Sequence, residues 1–432
     1  MTRQARRTPS AWIIVAMAVG ALLVAPTQAG ATTTPSGHQM AVVPAPQRID
    51  PGELRRLLDQ IVAAGAPGAA ALVRDEHGVQ QAASGLADLR TGRPMRPKLN
   101  YRIASVTKPF VATVVLQQVA EGRLSLSDTV ERWLPGILPY GGQVSIRQLL
   151  NNTSGVPEYL LVPLLELYES KQGRFRSWTP RELVALVAGQ SPLFPPGTTY
   201  SYSNTNYVLA GLIVEAATGR TLGQELKRRI IRPLGLRDTF FPVNRPDIPG
   251  RNARGYSLPL GDQGPVLDGP LLDITVYNPS LAWAAGNLVS DLADLQRFFR
   301  ALLDGRLLPP ELLAEMTTTV PIGQGAGYGL GLLVLETPCG RLIGHDGGIP
   351  GFITIVLSTE DGRRQFGVMV NQFFTTPAVD QPYGQVVVEI AMGLLEGGLC
   401  DPAASSASLG TAVQAGEPAR TQQTLAQARA AA

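Results

Sequence analysis

The chain has 432 residues, 44% of them hydrophobic, enough for one large domain or two smaller ones with a sizeable core. The formal net charge is +3, and Arg3, Arg6 and Arg7 supply that excess, so the rest of the chain is close to neutral and gives no electrostatic case for a nucleic-acid partner. Three histidines, two cysteines and no His-Glu-x-x-His argue against a zinc enzyme, and the lack of any Gly-x-Ser-x-Gly removes the nucleophile elbow of the α/β-hydrolases.

Residues 1–31 join a basic start to an apolar run, Trp12 to Ala25, and to the small residues Ala29-Gly30-Ala31. That pattern predicts an export signal, of the general secretory or, from Arg6-Arg7, the twin-arginine type, and hence a secreted or cell-wall-associated protein. The apolar run is too short for a comfortable membrane span, and no other run approaches the needed length. Residues 32–48 are Thr/Pro-rich and read as a disordered linker.

A helix is expected over 51–64, then a hairpin of 69–75 and 79–87 turning at His77-Gly78. The apolar run Phe110–Leu116 predicts a buried helix ending near Gly122. The middle of the chain reads as helices joined by loops. A short helix over 144–151 is stopped by Asn152-Thr-Ser-Gly155, and Thr179-Pro180-Arg-Glu182 is a capping box. Further helices are expected over 206–217, closed by Gly219, over 222–231, and from a Ser290 cap to Leu303; residues 243–280 read as loop. Short apolar runs at 331–336, 341–344, 352–358 and 365–371 predict an antiparallel meander. A last helix follows over about 381–395, and residues 401–432 read as a disordered tail. Cys339 and Cys400, the only cysteines, could form one disulfide in an oxidising compartment.

The candidate chemistry centres on Ser105-Val-Thr-Lys108 at the start of the buried helix, where Pro109 is tolerated. Side chains three apart share a helix face, so the Ser105 hydroxyl and the Lys108 amine should be neighbours. A serine needs a base, and burial can lower a lysine pKa far enough for that task, or the cation can hold down the pKa of another base. Free N–H groups at the helix start suit a developing oxyanion. Alone, the four residues read equally as a capping serine and a surface lysine. Tyr202-Ser203-Asn204 precedes the 206–217 helix; near Lys108 the tyrosine pKa is expected to fall, and Asn204 could hold the lysine and a substrate amide. His345-Asp346-Gly347-Gly348 taken singly reads as a turn between strands, whose glycines would allow close substrate approach.

Ser-x-x-Lys, Tyr-x-Asn and His-x-Gly, in that order, resemble the signature of the penicillin-recognising serine hydrolases: serine D-alanyl-D-alanine peptidases, class C β-lactamases and related esterases. Ala104-Ser-Val-Thr-Lys108, Leu149-Leu-Asn-Asn-Thr-Ser-Gly155, Tyr200-Ser-Tyr-Ser-Asn-Thr-Asn-Tyr207 and Tyr328-Gly-Leu-Gly-Leu332 look like the matching stretches. Over roughly 50–400 the closest look is to the secreted streptomycete D-alanyl-D-alanine carboxypeptidase branch. The resemblance implies an α+β fold, an antiparallel β-sheet flanked by helices with an inserted all-helical subdomain. That sets one domain over 49–400, with an α/β lobe of 49–104 and 284–400, a helical lobe of 105–283, and the site at their junction. It further implies that Ser105 is the acylated nucleophile and that Lys108 and Tyr202 share proton transfer. Asn204 would orient lysine and substrate, and His345 would stand where many relatives have lysine. The N–H groups of Ser105 and Gly348 would form the oxyanion hole, with Asp346 and Gly347 along the substrate. No metal or cofactor is implied.

Two positions depart from the carboxypeptidase. Leu333 stands where an arginine binds a terminal carboxylate, and Asp346 and Gly348 replace two threonines that assist there. Like charges 4 Å apart cost about 4 kcal/mol at an effective dielectric near 20. These departures count against recognition of a free C-terminal carboxylate, while the resemblance as a whole implies an exported acyl-serine hydrolase, carboxypeptidase-like on peptidoglycan-type peptides. The other readings are an esterase, amidase or β-lactamase, or a penicillin-binding module with weak turnover. The expected partner is a small-molecule or peptide acyl substrate, met by a monomer.

Overall fold

The structure, a computed structural model, describes residues 51–261, 264–265, 269–323, 325–337 and 340–373. The predicted export segment, linker, final helix and tail lie outside these residues, as do Cys339 and Cys400.

The N-terminal hairpin forms as expected, from β1 (Gly68–Asp75) and β2 (Gly78–Asp88), with the Asp75 carboxylate accepting from the His77 N–H in its turn (2.8 Å). A short β3 (Arg93–Pro94) follows. The rest of the main sheet comes from β4 (Val320–Gly323), β5 (Ala326–Tyr328), β6 (Leu333–Thr337), β7 (Gly340–Ile349), β8 (Phe352–Thr359) and β9 (Gln365–Val370). The nine strands run antiparallel in the order β4-β5-β6-β7-β8-β9-β1-β2-β3. Pairing of β1 with β9, from Ala69↔Val370 to Arg74↔Gln365, closes the N-terminal hairpin onto the C-terminal meander.

Each face of the sheet has its own apolar layer. Helix α1 (Pro51–Ala63) presents Leu54, Leu58 and Ile61 on one stripe and buries them against Val73, Leu335, Leu342, Leu357 and Phe366. The other face belongs to the larger core, which takes in α2 (Thr107–Ala120), α3 (Asn204–Thr218), α4 (Trp283–Gly286) and α5 (Leu292–Leu303). Helix α2 is buried continuously from Thr107 to Leu116, as its unbroken apolar run demands. Phe110 of α2 stacks on Phe298 of α5, with ring centroids 3.6 Å apart.

Several local signals act as the sequence predicts. Thr179 caps its helix with a complete capping box, and Gly219 ends α3 in the left-handed conformation (φ 66°). Others differ. Asp291, not Ser290, caps α5 by accepting from the Asp294 N–H (2.8 Å). Helices at Leu161–Glu169 and Pro310–Thr317 carry no strong sequence signal. Residues 345–348, which read as a turn, lie inside β7; the turn falls after them at Pro350-Gly351, between the paired Ile349 and Phe352.

Candidate active site

Ser105 lies in a single 3-10 turn, Ala104–Val106, that leads into α2. Ala104 there takes φ 50°, a left-handed conformation that costs a non-glycine residue about 1 kcal/mol or more. One turn on, Lys108 is fully buried. Its Nζ lies 2.8 Å from Ser105 Oγ, 2.8 Å from Asn204 Oδ1 and 2.9 Å from the Ala285 carbonyl oxygen in α4. The Tyr202 hydroxyl donates to the same Ser105 Oγ at 2.8 Å. Lys108 and Tyr202 thus meet at the Ser105 oxygen, and Asn204 joins them through Lys108.

Burial pulls the Lys108 ammonium down to about 7, against the upward pull of Glu158 and Asp346. A neutral amine fits its three contacts. As an ammonium the nitrogen donates to Ser105 Oγ, Asn204 Oδ1 and the Ala285 oxygen; once neutral it keeps two of these N–H bonds and turns its lone pair to the Ser105 hydroxyl. Tyr202 does not follow the expectation of a lowered pKa. Burial pushes its phenol well above 10, outweighing the Ser105 hydrogen bond, so it stays protonated as a donor. The Lys108 ammonium instead lies 4.7 Å from the centroid of its ring.

The Asn152-Thr-Ser-Gly155 stretch positions this tyrosine segment. Asn152 Oδ1 accepts from the Ser203 N–H (3.2 Å) and from Asn206 Nδ2 (2.9 Å), and Ser154 Oγ donates to Asn206 Oδ1 (2.6 Å). Glu158, absent from the sequence-based set, holds Asn204 from behind through its N–H (2.7 Å) and Nδ2 (2.9 Å). Its one sequence signal is a lone charge in the apolar stretch 156–164. The Ala285 carbonyl has no sequence signal, because any residue supplies one.

Strand β7 forms the other wall. A Cβ at Gly347 would collide with the Ile103 carbonyl oxygen and lie 3.1 Å from Ser105 N, so the strand runs directly past the nucleophile's amide. Ile349 and Phe352 flank a two-residue hairpin turn. Alternation along the ladder then turns the N–H groups of Asp346 and Gly348 away from β8. They face the edge where β6 has already ended, since its first residue, Leu333, pairs with Gly344. Among the described residues Gly348 therefore offers an unclaimed donor, one position after the glycine that passes Ser105. His345 is buried, with Nε2 2.9 Å from the Tyr328 hydroxyl and Nδ1 against the Asp346 carbonyl. Burial, then Lys108, lowers its pKa to about 3, so the ring is neutral, with Nδ1 donating and Nε2 accepting. Asp346 is raised by burial to about 6, with Lys108 pulling the other way.

Leu333 is not brought to this cleft. Leu332 and Val334 face the helical side of the sheet, while Leu333 lies in the layer under α1, 5% exposed. It does not line the site, so its assignment to substrate binding is corrected.

A serine gripped by a buried lysine and a tyrosine, where a helical layer meets the edge of an antiparallel sheet, marks the protein as a serine hydrolase. The profile of the Beta-lactamase family matches residues 54–388, and the chain belongs to that family. A solved D-stereospecific amidohydrolase from Streptomyces sp. is 39% identical and superposes with a TM-score of 0.69 over 78% of this chain and 98% of its own. Esterase EstB of Burkholderia gladioli is 34% identical over 303 residues, 63% of this chain and 76% of that protein. A D-aminopeptidase of Brucella anthropi is 31% identical over 301 residues, covering 67% of this chain and 52% of that longer enzyme.

Proposed function

We propose that the protein hydrolyses amide or ester bonds through an acyl-Ser105 intermediate, on substrates without a free carboxylate beside the scissile bond. The observation that carries this reading is the double grip on Ser105 Oγ, 2.8 Å from both a buried amine and a phenol. Neutral Lys108 takes the Ser105 proton as Oγ bonds to the acyl carbon. The N–H groups of Ser105 and Gly348 receive the oxyanion. The bond to the leaving atom then breaks as Tyr202 gives that atom its proton, and the Lys108 ammonium returns its proton to the Tyr202 phenolate. Water hydrolyses the acyl ester and returns Ser105 to its starting state.

A carboxypeptidase would need a cation for the terminal carboxylate. Leu333 offers none and is turned into the core. Arg102, three residues before Ser105, is 1% exposed and engaged with the carbonyls of Pro246 (2.5 Å) and Tyr277 (3.2 Å). Asp346 adds an anion instead. The similarity to an amidohydrolase and a D-aminopeptidase supports an amide of a D-amino acid as substrate. An esterase is the second reading, supported by the 34% identity to esterase EstB. Among the described residues no helix is long and apolar enough to cross a membrane. The leader-like residues 1–31 support export.

A substrate panel tests this reading: a D-alanyl-D-alanine peptide with its C-terminus free or amidated, a p-nitrophenyl ester and a cephalosporin. The amidated peptide and the ester should be turned over faster than the free acid. A clear preference for the free acid would overturn the reading.

A further inference from the structure

Asp346 has no task in the chemistry above. Its side chain is 31% exposed, open to the cleft yet mostly walled in. Its carboxylate takes a hydrogen bond from its own backbone, and no other donor among the described residues reaches it. His345 Nδ1 is 3.7 Å away, but that nitrogen is committed to the Asp346 carbonyl on a neutral ring. Lys108 is the one cation among the described residues whose field reaches it, and the three directions of that amine are taken. Residues 374–419 contain no Lys, Arg or His.

Two tyrosines stand near the carboxylate. Its charge is felt by Tyr200 and Tyr202. Both rings pack on Tyr328, with centroids 5.7 Å and 6.1 Å away, and Tyr328 in turn meets the neutral His345. An unpaired carboxylate open to the cleft is the chemistry that takes an ammonium or guanidinium. Tyr202 protonates the leaving atom, so Asp346 lies on the side from which the leaving group departs.

Resting on the acyl-serine reading, we propose that Asp346, with Tyr200 beside it, forms a subsite for a cationic group carried by the leaving amine. The preferred amides then release a second ammonium or guanidinium with their amine. At neutral pH the carboxylate is ionised, and a bound cation holds it so.

Three amides of D-alanine test this, all with the same free α-amine: the cationic 2-aminoethylamide, the isosteric propylamide and the anionic glycine. In the wild type, kcat/KM for the 2-aminoethylamide should exceed that for the propylamide by roughly 10- to 100-fold, with glycine lowest. Asp346→Asn should bring the cationic-to-neutral ratio near unity, and Asp346→Glu should restore the preference. Equal rates for the two amides in the wild type, or a ratio that survives Asp346→Asn, would overturn the proposal. If none of the three is hydrolysed, the amide-hydrolysis reading fails, and protection of Ser105 from a fluorophosphonate decides the subsite. The cationic amide should then protect at lower concentration than the propylamide, and equal protection would reject the subsite.

Discussion

The acid limb of the pH profile should belong to Lys108. Its folded-state pKa is about 7 against an ordinary 10.5, because the amine is fully buried. At pH 7 a lysine of ordinary pKa is neutral in roughly one molecule in three thousand, whereas one titrating near 7 is neutral in about half. Burial thus raises the base-competent population about a thousandfold. Measured with a chromogenic ester, kcat/KM should rise with pH by tenfold per unit on the acid side and level off above a midpoint near 7. No falling limb should appear below about pH 10, because the Tyr202 phenol is pushed up. His345, lowered to about 3, cannot supply the limb. Asp346, near 6, could, so the limb should survive in Asp346→Asn. Lys108→Ala should remove it and lower the plateau by roughly 10²- to 10⁴-fold. A flat profile from pH 5 to 9, or a limb lost in Asp346→Asn and kept in Lys108→Ala, would refute the assignment of the base.

Three further outcomes follow from the same geometry. The unfolded chain keeps the Lys108 proton up to 10.5, so wild-type stability should climb as pH rises from about 7 to that value; Lys108→Met should flatten the climb in urea midpoints. Asp346 has the opposite sign: its raised pKa means stability lost as pH rises through about 6, so Asp346→Asn should be about 1–2 kcal/mol more stable at pH 7.5 and no more stable at pH 4. Gly347→Ala would drive a methyl into the Ile103 carbonyl and toward Ser105 N, and the displaced nucleophile should cost roughly a hundredfold in acylation rate; an unchanged burst with the ester would contradict the packing.

The sequence carried the groups whose meeting depends on short spacing. Ser105 and Lys108 are three apart on one helical turn, and Tyr202 and Asn204 sit at a legible helix start. What was hidden depends on tertiary packing. Gly347-Gly348 looks like a turn in isolation, yet pairing with Thr354 and Ile353 keeps it in β7 and puts its bare backbone against Ser105. Leu333 was misplaced because a one-residue change of parity sends a strand side chain to the opposite face. The direction of the Tyr202 shift depends on burial outweighing a neighbouring cation, a balance no spacing encodes. Glu158 and the Ala285 carbonyl reach the lysine network from segments far away in the chain.

Covalent capture of the nucleophile is the most direct measurement. Incubation with a fluorophosphonate, followed by peptide mapping by mass spectrometry, should place a single adduct on Ser105, and Ser105→Ala should carry none. An adduct on another serine, or labelling that persists in Ser105→Ala, would contradict the acyl-Ser105 mechanism.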